Sequence, residues 1–91
     1  MPDPSVTVRD NPDKRRYELV LDGEVVGEID YTSRPGEIVL LHTEVSPELE
    51  GQGLGARLVA DALEDIRARG LRVVPVCPFV SAYLRRHPEA A

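Results

Sequence analysis

Three groups of residues in this sequence have types and spacings that could do chemistry. Cys77 is the only cysteine, and Pro78 follows it at what reads as the first turn of a helix. A helix N-terminus favours a thiolate, so the position would make Cys77 a nucleophile. It could instead only line a pocket, or be an inert core thiol, the usual fate of a free cysteine. His42 and Glu44 lie two residues apart in a strand-like run, hence on one face. An imidazole exchanges protons near neutral pH, so His42 is a candidate general base, directly or through water; a solvated surface histidine is the plain alternative. The third group is Gly51, Gly53 and Gly55 within Glu50-Gly51-Gln52-Gly53-Leu54-Gly55-Ala56.

Those glycines open a long helical pattern. The first amides of a helix lack internal partners and carry a partial positive charge, and glycine lets a ligand approach them without a Cβ in the way. A diphosphate satisfies both conditions. An ordinary tight turn is the competing explanation. It accounts poorly for three glycines in five residues, because each costs a helix about 1 kcal/mol. The spacing alone does not choose the anion. No Gly-Lys-Ser/Thr follows, and the run lacks the dinucleotide-binding spacing. No set of His, Cys, Asp and Glu has structural-metal spacing, so no metal is expected.

The elements that must position these groups change period midway. Val6 and Val8 alternate with polar residues, as do Tyr17, Leu19 and Leu21, and Asp22-Gly23 marks a hairpin. Val25, Ile29 and Tyr31 continue the period of two with Gly27 on their face, where glycine marks a bulge or a close backbone approach. Residues 38–45 form the fourth strand; its run Ile38-Val39-Leu40-Leu41 predicts burial on both faces and a central place. Leu54, Leu58, Ala62 and Ile66 then recur every four residues, an amphipathic helix stopped by Gly70. A fifth strand covers 71–76, where Pro75 predicts an edge or a bulge. Pro78 starts a second helix, with Val80, Tyr83, Leu84 and His87 on one face and Pro88 at its end. The order ββββαβα predicts a mixed α/β sheet, antiparallel through strands 1–4, with strands 4 and 5 parallel across the helical crossover.

The 91 residues make one domain, 1–91, too small to enclose a large ligand. Apolar residues make up 42% and charged residues 30%, a globular balance. No apolar run approaches the roughly 20 residues that cross a bilayer, and a lone cysteine without a signal-like N-terminus places the chain in the cytoplasm. A net charge of −5 argues against nucleic acid as a partner, and it means that an anionic ligand must be held locally. A monomer or weak homodimer is expected.

Residues 45–55, Val-Ser-Pro-Glu-Leu-Glu-Gly-Gln-Gly-Leu-Gly, resemble the acetyl-CoA signature of GNAT acetyltransferases, Gln/Arg-x-x-Gly-x-Gly/Ala after a strand and a short turn. Gly53 and Gly55 match the two small positions, while Glu50 stands where the family has Gln or Arg. With Val74-Pro75-Val76-Cys77 and His87-Pro88-Glu89, the chain resembles compact single-domain GNAT-like proteins that lack the helices after strand 1. The resemblance implies that strands 4 and 5 splay apart to admit the pantetheine arm. It implies acetyl-CoA contacts from Thr43, Glu44 and Val45 and from Glu50, Gly51, Gln52, Gly53, Leu54, Gly55 and Ala56. Among the catalytic candidates, Cys77, which could accept the acetyl group, and His42 rest on the residue readings above, and the resemblance adds Tyr83 near the departing sulfur; helix packing is the alternative for Tyr83. Arg85 and Arg86 are candidates to reach the ribose phosphate, or are simply a charged helix face. The implied activity is N-acetylation of an amine, with a non-catalytic coenzyme A or acyl-CoA binding module, or a structural partner without a ligand, as alternatives.

Overall fold

The computed structural model describes residues 5–49 and 51–90. Strands β1 (Val6–Asn11), β2 (Arg16–Leu21), β3 (Glu24–Arg34), β4 (Glu37–Val45) and β5 (Arg72–Pro75) form one sheet in sequence order. The first four pair antiparallel. β5 joins β4 in parallel after the crossover helix α1 (Leu54–Ala68), and α2 (Pro78–Arg86) follows. Short 3₁₀ turns at Pro47–Leu49 and Pro88–Ala90 complete the chain. The predicted order and pairing are therefore those observed, and Pro75 lies on an edge strand.

One face of the sheet carries the core. Tyr17, Leu19, Ile29, Tyr31, Ile38 and Leu40 meet Leu58, Val59, Ala62, Leu63 and Ile66 of α1, with Val80 of α2 and Cys77 beside them. A polar seam ties helix to sheet. The Tyr17 hydroxyl donates to Asp65 Oδ2 and the Tyr31 hydroxyl to Asp10 Oδ1, each at 2.6 Å. Arg69 bridges the two carboxylates, at 2.8 Å from Asp10 and 3.0 Å from Asp65. Burial, reinforced by the bond to Asp10, pushes the Tyr31 phenol up to about 12, so the hydroxyl stays a donor.

The opposite face is charged. Cross-strand register sets Arg9, Glu18, Glu28 and Glu44 in one row and Asn11, Arg16, Asp30 and His42 in the next. Glu18 is only 1% exposed. Burial would push its carboxyl up, but hydrogen bonds from Arg16, Arg9 and Asn11 hold it down at about 2.

Two bulges interrupt the sheet: one at Gly27, where the sequence marks a bulge or a close approach, and one at Leu41, where it marks none. Leu19 pairs with Gly27 but Val20 with Val25, so Val26 is an extra residue. The slip breaks the period of two: Val25 is exposed, and Val26 packs against the core instead. Gly27 borders this bulge where β3 and β4 run close; a Cβ there would come within 3.1 Å of the Glu44 carbonyl oxygen. In β4, Asp30 pairs with His42 but Tyr31 with Leu40, which leaves Leu41 as the extra residue. Ile38, Val39 and Leu40 are buried as expected, whereas Leu41 is 43% exposed.

Candidate functional site

β4 and β5 stay paired only from Glu37↔Arg72 to Leu40↔Pro75, and the bulge at Leu41 begins where that pairing stops. A bulge bends and twists its strand, so the two strands part there. The last bond across the gap runs from the Cys77 amide to the Leu40 carbonyl, 2.9 Å. Just above it, Thr43 Oγ1 and Cys77 Sγ share a hydrogen bond of 3.1 Å, which places the thiol at the apex of a fork. Cys77 is 3% exposed.

The open edge of β4 follows from its ladder. Ser46 N–H donates to the Val26 carbonyl at 2.8 Å, which sets the even-numbered residues 42, 44 and 46 facing β3. Antiparallel pairing alternates, so the N–H and C=O groups of Thr43 and Val45 turn toward the side β5 has vacated. An extended ligand can pair with such an edge.

At the other end of this edge lies the glycine turn. Gly51 has φ +83° and Gly53 φ +76°, left-handed conformations that strain any other residue. Gly53 is the N-cap of α1 and supplies no side-chain cap, and the first turn holds no acidic residue. The first intrahelical bond is Arg57 N–H to the Gly53 carbonyl, so the amides of Leu54, Gly55 and Ala56 point out of the helix end. Gly55 serves a different purpose: a Cβ there would stand 2.9 Å from Cζ of Phe79 on α2.

Edge and turn enclose a cavity of about 430 Å³, walled by Thr43 and Val45 of β4, Leu49, the turn from Gly51, and Phe79. Of the residues expected to bind a cofactor, Thr43, Val45, Gly51, Gly53, Leu54, Gly55 and Ala56 line it. Gln52 is exposed and does not, and Glu50 lies outside the described residues. Glu44 faces the other way, into a shallower groove of about 280 Å³ that it shares with Glu28. Hydrogen bonding to Asp30 and burial raise the Glu28 carboxyl, against the pull of Arg16. His42 stands on that same flank, its Nε2 at 3.6 Å from Glu44 Oε1. The fork thus brings Thr43 and Cys77 together and sets His42 and Glu44 across the strand from them. Tyr83 does not line the main cavity. Its ring stacks on His87, centroids 4.5 Å apart, and borders a neighbouring groove with Ala56 and Phe79.

Sequence reasoning missed two cavity residues, Leu49 and Phe79. Leu49 has no distinguishing signal. Phe79 had one, since it is the only phenylalanine, next to the helix-starting proline. Among the described residues no cluster of metal-ligating side chains occurs, and no helix is long and apolar enough to cross a membrane.

A mixed sheet with a forked parallel pair, and an uncapped glycine turn at the crossover helix beside the fork, defines the GNAT class of fold. A family model described as GCN5-related N-acetyl-transferase matches residues 16–91. The chain belongs to that family, whose activity is acyl transfer. Among solved structures it is similar to a GCN5-like protein from Staphylococcus aureus, at 24% identity over 97% of this chain and 86% of that one, with a TM-score of 0.71. It is also similar to the ribosomal-protein-S18-alanine N-acetyltransferase from Escherichia coli, at 18% identity and a TM-score of 0.58, over 77% of this chain and 40% of that enzyme. At these identities the likeness is one of fold. Comparison with curated proteins gives no match.

Proposed function

We propose that the chain transfers an acetyl group from acetyl-CoA to an amine. One observation carries this reading: a single cavity joins an uncapped helix N-terminus to an unpaired strand edge that leads to the fork. The coenzyme diphosphate rests on the amides of Leu54, Gly55 and Ala56. The pantetheine arm runs along β4, its amide groups pairing with Thr43 and Val45. The thioester then lies at the fork apex, near Thr43 and Cys77.

The acceptor approaches from the other flank of β4. Glu28, Asp30 and Glu44 crowd that side, which supports an acceptor that is cationic in water, such as a polyamine or a lysine side chain. The amine first loses a proton to His42, through water, with Glu44 orienting the imidazole. The nitrogen lone pair attacks the thioester carbonyl carbon and a C–N bond forms. The tetrahedral intermediate collapses, the C–S bond breaks, and coenzyme A leaves as a thiolate that takes up the proton the nitrogen sheds as it becomes an amide. Tyr83 serves the outer part of the coenzyme rather than the sulfur.

The Thr43–Cys77 contact also favours a second route, in which Cys77 accepts the acetyl group before the amine does. An acetyl-Cys77 adduct seen by rapid mass spectrometry, together with a dead Cys77→Ala variant, selects that route. No adduct and full activity end the covalent idea and leave the thiol as a buried core group.

Thermal unfolding with acetyl-CoA tests the reading as a whole. Ligand at 100 times its Kd adds about 2.7 kcal/mol. That raises the melting temperature of a domain this small by roughly 10–20 °C. An unchanged melting curve rejects coenzyme binding. A raised one, without release of thiol in the presence of any of a panel of amines and peptides, reduces the chain to a binding module.

A further inference from the structure

The turn between β1 and β2 holds a residue in a conformation that its type does not favour. Among the described residues two non-glycine residues have positive φ, Arg15 at 54° and Asp22 at 51°. Asp22 belongs to the Asp-Gly hairpin turn, where that backbone is ordinary. Arg15 has no such reason, since glycine would sit there without the Cβ penalty. The fold pins it in place. Its N–H donates to the Pro12 carbonyl at 3.2 Å, and its carbonyl accepts from the Tyr31 N–H of β3 at 2.9 Å. The Lys14 N–H, one residue earlier, donates to the carbonyl and Oδ1 of Asn11.

This anchoring brings Arg15 beside Thr32 and Ser33 of β3. With Pro12 and Tyr31 they wall a cavity of about 290 Å³. No carboxylate lines it, and Asp13, the acid of the turn, is not among its walls. The Arg15 guanidinium and the hydroxyls of Thr32 and Ser33 have no ion pair or side-chain hydrogen bond among the described residues. A backbone donor joins them. Alternation along β3 turns the Ser33 N–H the same way as the Tyr31 N–H, past the point where β2 begins at Arg16. It therefore faces the turn without a paired strand. A strained backbone that keeps a guanidinium where glycine would fit is the kind of outlier from which function is inferred. The donors around it, planar guanidinium, amide and hydroxyl, suit a tetrahedral oxyanion.

We infer that this cavity is a phosphate site, held by Arg15 and by Thr32 and Ser33. It shares no wall with the coenzyme cavity and does not depend on the coenzyme reading. Its ligand is the free phosphate ion or a phosphate monoester.

The test is an NMR titration of the full chain with sodium phosphate, against sodium chloride at the same ionic strength. The Ser33 amide resonance is expected to shift to saturation with phosphate and not with chloride. Saturating acetyl-CoA is expected to leave that response in place, because the two cavities are separate. Arg15→Gln should weaken it about tenfold, the loss of one charge-assisted contact, and Arg15→Lys should keep part of it. Arg15→Gly separates binding from folding: freed of the backbone penalty, it should melt no lower than wild type and yet lose the response. A parallel titration with O-phosphoserine distinguishes the sources. Tighter binding than phosphate assigns the site to a monoester, and equal or weaker binding assigns it to the free ion. No saturable shift at Ser33 in wild type, or an undiminished one in Arg15→Gln or Arg15→Gly, overturns the inference and leaves the coenzyme reading standing. An Arg15→Gly variant that melts well below wild type overturns it too, because the side chain is then kept by the fold rather than for a ligand.

Discussion

The glycine turn shows why residue type must be read with conformation. Gly51, Gly53 and Gly55 look equivalent in the sequence, yet only the first two need a left-handed backbone, and only the third lies against a neighbouring ring. Substitutions should separate the two reasons. Gly53→Ala forces an L-residue to φ +76° and is expected to cost about 1–2 kcal/mol of stability, measured by chemical denaturation, and to weaken coenzyme binding. Gly55→Ala meets only the exposed end of Phe79, which can swing aside, and alanine is the better helix former. Its stability is expected to be unchanged or raised while coenzyme affinity falls. A Gly55→Ala variant that loses as much stability as Gly53→Ala contradicts this division. The turn itself was legible because glycines at a helix start have few other uses. Phe79 was not, because Val80, Tyr83 and Leu84 gave the short second helix an apolar face without it.

At the scale of elements, strands, helices and their order could be read from period, hairpin signals and proline positions. The bulge of β3 was signalled by Gly27, which sits at the slip, whereas that of β4 was not: Leu41 is an ordinary apolar residue with no glycine or proline beside it, and one extra residue changes which face its neighbours take without altering composition. Leu41 is the more consequential, since the fork opens at it. Deleting Leu41 keeps Leu40 and Thr43 on the core face and His42 on the other, because the extra residue alone is removed. Its side chain is 43% exposed, so little core is lost. The shortened strand should lie flat and pair with the chain beyond Pro75. The expected outcome is a folded protein, by circular dichroism and melting, whose stabilisation by acetyl-CoA is gone. Full retention of that stabilisation would show that the fork does not depend on the bulge.

For the whole molecule, the sheet divides an apolar, helix-covered side from a charged one, and the charged side carries a buried carboxylate. Glu18 is held down at about 2, below the ordinary carboxylate range. Its contribution to stability is therefore complete above that range and is lost as pH falls toward 2. Glu18→Gln is expected to melt roughly 4–8 °C below wild type at pH 7, the loss of about 1 kcal/mol of net hydrogen bonding. The gap should narrow below about pH 4 and close near pH 2. A gap that stays constant with pH would locate the effect in packing instead. This network was invisible in the sequence, where Glu18 is one acid among sixteen and only the register of β1 on β2 brings Arg9 and Asn11 to join Arg16 of its own strand.

The alternation along β4 has one more outcome, readable by isotope. By the alternation of the ladder, His42 and Glu44 hand their amide protons to β3, whereas those of Thr43 and Val45 turn to the side that, among the described residues, holds no paired strand. In deuterated water the free protein should exchange like a comb, slow at one tooth and quick at the next. A thioester arm lying where a sixth strand would otherwise fit should fill every gap, so that all four positions become slow together.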